Sequence, residues 1–361
     1  MNDANELISF IASMSGEGNL RVEENLGEGY VRLRVSEAER RQAKHDIQHV
    51  EDIVIEMLRN ARDAGADKVY LATTKEEGVR TLLFLDNGSG VPQDMQERIF
   101  DARVTSKLES MKMDRWGVHG RGMALFSIKQ NTDEARVVTS GVDLGSAFKV
   151  CVATNRLGER ADQSSWPQAV KDEDGRYVCG RGPHNIIRAA CEFALEELRD
   201  CDVYLGSPSE IAATLYAQAS SRLDTSRLLF IDDECELPVI DRLGLASDAE
   251  DFIRICSGLG LEMSERTAHR ILSGQIKPVR GVTARLLRER DSTSHAPVPV
   301  DLAKDRRGLR IAKDDMAQFS RAVERDFNDL AARYYLNLCG DPKIHVSRDR
   351  ITVTFDLAKE E

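Results

Sequence analysis

A chain of 361 residues with 41% apolar and 31% charged content is long enough for two or three domains, each with its own core. Its formal charge of -11 excludes a surface that is basic throughout, and with it a protein that coats nucleic acid by bulk charge. No run approaches the length of a membrane span, the first residues lack the basic start and apolar stretch of a leader, and seven cysteines without a C-x-x-C pair suggest neither a disulfide framework nor a zinc site, so a soluble cytoplasmic protein is expected.

Residues 1–40 read as a short helix, "NELISFIASM", a Gly-rich turn and a strand, "GYVRLRV". One long helix is expected from about Glu37 to Ala64. Within it, Val50, Ile53, Val54, Met57, Leu58 and Ala61 stand at offsets of 0, 3, 4, 7, 8 and 11, the spacing of a single buried face. Gly65 is expected to stop it. Beside the apolar stripe runs a second one, Glu56, Asn60 and Asp63, which taken alone is explained by a solvated helix edge. A hairpin follows, "KVYLATT" and "VRTLLFL" around "KEEG", and its second strand runs into the turn-rich "DNGSGVP". Then come a short helix, "QDMQERIF", a polar connection, "DARVTSKLESMKMDRW", and "GVHGRGMALFSIKQN", a Gly-rich loop opening a helix. Two more strands, "EARVVTSG" and "SAFKVCVAT", complete an α/β sandwich with a mixed, mostly antiparallel sheet and helices on one face.

The polar stretch "NRLGERADQSSWPQAVKDEDGRY" marks the expected boundary between domains at 1–155 and 156–361. Beyond it the chain is expected to be mainly helical, from apolar-periodic segments at "HNIIRAACEFALEELR", "PSEIAATLYAQASSRL", "AEDFIRICSGL", "ERTAHRIL" and "KDDMAQFSRAVERDFNDLAARYYLNL". A short β element, "KIHVSRDRITVTFDL", closes it. Overall the fold class is α+β.

Three segments gain meaning together. Glu56-x-x-x-Asn60-x-x-Asp63 on a helix, Asp86-x-Gly88-x-Gly90 at a strand end, and Gly117-x-x-Gly120-x-Gly122 before a helix fall within one 70-residue span. The combination resembles the N, G1 and G2 boxes of the GHKL ATPases, the superfamily of gyrase, the ninety-kilodalton heat-shock chaperone, histidine kinases and MutL. Thr105 to Lys107, "TSK", resembles the lid of MutL and of the topoisomerase VI B subunit. The resemblance covers about residues 45–150 and implies a Bergerat-type sandwich that binds ATP with Mg2+. It implies Glu56 as the general base for hydrolysis and Asn60 as the Mg2+ ligand. Asp86 would read the adenine amine, supported by Thr139 in "VVTS". Gly88 and Gly90 would leave room for base and ribose, and Gly117, Gly120 and Gly122 would cradle the phosphates. Lys107 would be the lid cation, whereas Asp63 is expected to brace the helix end. Arg59, Arg62 and Arg121 depart from the family pattern. Arg121 stands where MutL carries a glutamate.

The second half offers three further readings. Lys277 in "GQIKPV" is a candidate phosphate sensor, of the kind a second domain inserts into such a site. A helix-turn-helix is a candidate near 250–275, with Arg266 and Arg270 on its exposed side, and the stretch from Ser264 to Arg290 holds seven Lys or Arg against two acids. Two packed helices with a solvated basic face explain the same residues. His45 and His49 on the helix that carries Asn60 leave no separate hairpin for a phosphoacceptor histidine. The expected function is therefore an ATP-driven conformational or dimerisation switch, with DNA or a DNA-bound protein as partner. The alternative is a nucleotide-dependent interaction or transcription-regulating module without significant turnover.

Overall fold

The computed structural model describes residues 22–106, 112–114, 117–119, 122–160, 162–198, 200–222, 233–287, 313–331, 336–346 and 351–359. The chain divides into two compact units, Met1–Arg290 and Asp291–Glu361. The boundary expected at residues 155 and 156 falls inside the first unit, because chain beyond it completes the sheet.

A hairpin of β1 (Val22–Gly27) and β2 (Tyr30–Leu33) precedes α1 (Glu37–Asp46) and α2 (Val50–Asp63). The single helix expected over Glu37–Ala64 is thus two helices. The backbone N–H groups of Gln48 and His49 both donate to Asp52 Oδ2, at 2.9 and 2.8 Å, which satisfies a fresh helix N-terminus instead of continuing the old one.

β3 (Lys68–Glu76) and β4 (Val79–Asp86) form the expected hairpin, and both turn residues, Glu77 and Gly78, have positive φ as a tight primed turn requires. The helix expected at "QDMQERIF" is two single 3₁₀ turns, Gln93–Met95 and Arg98–Phe100. β5 (Val104–Thr105) pairs with β2, and β6 (Lys112–Asp114) pairs with β7 (Gly117–His119). After α3 (Ala124–Asn131) come β8 (Glu134–Ser140) and β9 (Ser146–Ala153). A small hairpin of β10 (Ala169–Lys171) and β11 (Tyr177–Cys179) leads to α4 (Ile186–Glu196) and β12 (Asp202–Gly206). The main sheet has the order β12-β3-β4-β9-β8, antiparallel except where β12 runs parallel to β3.

The period-2 alternation of strand side chains sends Val69, Leu71, Leu82, Phe84, Val150 and Val152 into one core, with α2, α3 and α4. Tyr70, Ala72, Leu83, Leu85 and Ala147 enter a second core with α5 (Pro208–Arg222), α6 (Ala249–Gly258) and α7 (Glu265–Leu272). The helices of the first 155 residues therefore lie on one face, as expected, where α4 joins them, and α5, α6 and α7 of the second half cover the other. Burial on both faces is why "VRTLLFL" reads as a nearly continuous apolar run rather than an alternating one.

The second unit contains α8 (Lys313–Ala331), β13 (Leu336–Leu338) paired with β16 (Leu357–Lys359), and the hairpin of β14 (Lys343–Val346) and β15 (Ile351–Thr354). Phe327 of α8 stacks on Phe355 with ring centroids 4.1 Å apart. No described helix is long and apolar enough to cross a membrane.

Candidate nucleotide site

A cavity of about 580 Å³ opens between α2 and the face of the sheet that carries Phe84 and Phe148. α2 contributes Glu56, Asn60 and Asp63 to its wall, the end of β4 contributes Asp86, and the following loop contributes Gly90. Gly122 and Met123, at the entrance to α3, close another side. Motifs up to 66 residues apart in the sequence thus line one space.

Asp86 is 4% exposed, and its Oδ1 accepts a hydrogen bond of 2.8 Å from the Gly88 N–H. Gly88 does not line the cavity. Its missing side chain lets the loop lie on the end of α2, since a Cβ there would stand 2.9 Å from Ala64 Cβ, and Ser89 N donates to Ala64 O at 2.9 Å. Gly90 has φ +70°, and a Cβ on it would fall well inside contact with the Gly141 carbonyl oxygen. Gly122, with φ +65°, packs against β5, where a Cβ would lie 3.0 Å from Val104 O.

On α2, Arg59 Nη1 donates to Glu56 Oε1 at 2.7 Å. Asn60 Nδ2 is buried and has no hydrogen-bond partner among the described residues. A half-turn of that amide would present its oxygen instead, a suitable donor for a hard cation. Arg62 Nε donates to Asp63 Oδ1 at 3.0 Å and its Nη1 to Glu197 Oε1 at 3.0 Å, which ties the end of α2 to the end of α4. Asp63 thus has the bracing contact expected of it while also lining the cavity.

Thr139 is not beside Asp86. It pairs across the sheet with Ala147, faces the second core, and accepts a hydrogen bond of 2.9 Å from Arg242 Nη1. The residue opposite Asp86 is Ser146, which lines the cavity and is in turn opposite Ser140. The two serine hydroxyls are 2.9 Å apart, and Ser140 Oγ also accepts from Val91 N at 2.8 Å. A register shift between Val137 and Thr139 exchanges the faces, so alternation counted along "EARVVTSG" misplaces the hydroxyl.

Lys107 and Gly120 lie outside the described residues. Gly117 begins the short strand β7 opposite Asp114 rather than a loop running straight into α3. Tyr30, Gln42 and Asp46 also line the cavity, although no motif marked them. Burial raises the Tyr30 phenol above its ordinary pKa, against a lowering by its hydrogen bond with Ser106.

Lys277 does not reach this space. It is exposed and lies between Ile276 and Val279, which pack against the second core on the opposite face of the sheet. Arg266 and Arg270 are exposed one turn apart on α7. The connection from α6 to α7 is longer than the three or four residues usual in a helix-turn-helix, and both helices pack down on the sheet.

Residues 47–156 match the family described as histidine kinase-, DNA gyrase B-, and HSP90-like ATPase. This segment is a GHKL-type domain. Curated relatives include the DNA mismatch repair protein MutL of Brucella abortus (strain S19), 34% identical over 112 residues, which are 31% of this chain and 18% of the relative. The MutL of Thermodesulfovibrio yellowstonii is 31% identical over 107 residues, 29% of this chain and 19% of the relative. That of Pediococcus pentosaceus is 31% identical over 115 residues, 31% of this chain and 17% of the relative. The chain therefore spans less than a fifth of the length of these relatives. The matched GHKL segment holds α2, the β3–β4 hairpin, α3, β8 and β9, and thus most of the cavity wall.

Proposed function

We propose that the GHKL domain binds Mg-ATP and hydrolyses it, and that this cycle switches the conformation or pairing of the chain in a DNA-associated process. The observation that carries the reading is the convergence of Glu56, Asn60 and Asp86 on one cavity. Asp86 is a buried acceptor at the strand end, suited to the exocyclic amine of adenine; guanine would set a carbonyl oxygen against it. Ser146, rather than Thr139, supplies the neighbouring hydroxyl. Glu56 takes the proton of the attacking water, held by a helix whose opposite face is fully buried. Asn60 would hold Mg2+, which when bound neutralises phosphate charge. Gly90 and Gly122, both on the cavity wall, would lie beside the nucleotide.

Equilibrium binding of ATP to the full chain tests this directly. Ser146→Ala is expected to weaken ATP by roughly three- to thirtyfold, the worth of one hydrogen bond at a buried polar site, while Thr139→Val stays within about threefold of wild type. Equal effects would remove Ser146 from the site, and absence of ATP binding by the wild type would end the reading.

The DNA component rests on the exposed Arg266, Arg270, Lys277 and Arg280 and on what the MutL relatives are named for. Affinity for duplex DNA measured across a salt series is expected to fall steeply with salt. Replacing Arg266 and Arg270 should make that slope shallower by about one for each phosphate left without its cation. Binding insensitive to salt, or an unchanged slope, counts against DNA as the partner of this face.

A further inference from the structure

Glu56 does not face the cavity alone. Arg59, one turn along α2 and 3% exposed, holds the Glu56 carboxylate in a charge-assisted hydrogen bond, and both residues line the cavity. The other charged side chains on the described wall are acidic: Asp46, Asp63 and Asp86. A nucleoside triphosphate reaching Glu56 would add further negative charge beside a carboxylate. At the effective dielectric of a protein edge, two like charges about 4–6 Å apart oppose each other by a factor on the order of 10²–10³ in affinity before screening. A guanidinium keeps its charge throughout the physiological range, and can therefore cancel that repulsion permanently.

We propose that Arg59 is a positioning residue for Glu56 that neutralises its charge, so that the terminal phosphate of ATP can lie beside the carboxylate, and that it thereby gives the site a preference for triphosphate over diphosphate. The inference rests on the nucleotide-site reading above. A diphosphate lacks the group nearest Glu56 and is less sensitive to the cation.

The experiment compares ATP and ADP affinities, with Mg2+ present, for the full-length wild type, Arg59→Met, Arg59→Lys and the double variant Glu56→Gln/Arg59→Met. Arg59→Met is expected to weaken ATP by about tenfold or more and ADP by less than about threefold, with Arg59→Lys recovering most of the loss because it restores the charge. The double variant removes the acid together with its cation, and is expected to bind ATP within about threefold of wild type. Equal weakening of ATP and ADP, no weakening of ATP, or a double variant no better than Arg59→Met would each overturn the proposal. Should Arg59→Met fail to fold, the other two variants decide it, since neither leaves a buried charge without its partner: a double variant binding ATP as loosely as tenfold below wild type overturns it. A wild type that binds neither nucleotide overturns the site reading itself, whereas a wild type that binds both with an unchanged preference in the variants overturns Arg59 alone.

Discussion

Replacing Glu56 by alanine is expected to lower phosphate release at saturating ATP by about 10²–10⁴-fold, the usual contribution of a positioned general base. Affinity for ATP is expected to stay within about threefold of wild type or to tighten, because the carboxylate, its charge offset by Arg59, contributes no binding to a polyanion, and its removal leaves that cation to the phosphate. The geometry supports this separation. Glu56 stands on the cavity wall with 22% of its side chain exposed and its orientation set by Arg59, while Asp86 and the glycine loops that would seat base and phosphates stand on other elements. Phosphate release and equilibrium ATP binding, measured on the same preparations, check both halves. Undiminished release in Glu56→Ala would take the base away from this residue. Tight binding with no release by the wild type would favour the alternative of a nucleotide-dependent interaction module, in which ATP is a ligand and not a substrate.

The parts of this site that could be read from the sequence are those set by local periodicity or by a residue type with few other uses. The apolar offsets from Val50 to Ala61 required a buried helix face, and Glu56, Asn60 and Asp63 necessarily followed at its edge. Glycines 88, 90 and 122 were expected to make room for base, ribose and phosphates; each lies against the chain itself, Gly88 on Ala64, Gly90 on the Gly141 carbonyl and Gly122 on Val104, and Gly90 and Gly122 also line the cavity. Features that depend on pairing between distant segments were not visible. The bulge before Thr139 turns its side chain away from Asp86 and brings Ser146 and Ser140 into line, which no count along one strand reveals. The break between α1 and α2 depends on Asp52 capping two backbone N–H groups in competition with continued helix. The strand β12, five residues long at the sheet edge, has too little pattern to distinguish it from a connection, so a domain boundary was expected upstream of a segment that the sheet requires. Arg59 was evident as a residue, but its hold on Glu56 was not.

Gly90→Ala is expected to cost about 3 kcal/mol or more of stability and to weaken ATP by more than about tenfold in whatever folds, by two mechanisms that add. The left-handed backbone at φ +70° costs any L side chain about 1–2 kcal/mol on its own. The new Cβ must also displace the Gly141 carbonyl, which belongs to the turn joining β8 and β9, the strands that carry Ser140 and Ser146. Any relief of the clash therefore moves the hydroxyls opposite Asp86. Gly145→Ala, whose Cβ would intrude on the carbonyl of Asp86 itself, is expected to behave in the same way from the other side. Gly27→Ala separates the two mechanisms: with φ +85° and no atom within 4 Å of the added carbon, it should lose only the backbone component, about 1–2 kcal/mol, with ATP affinity unaltered. Denaturation midpoints and ATP affinities for the three variants check the argument. Gly90→Ala no less stable than Gly27→Ala, or equally able to bind ATP, would show that the turn yields freely and that the seat beside Asp86 is not rigidly built.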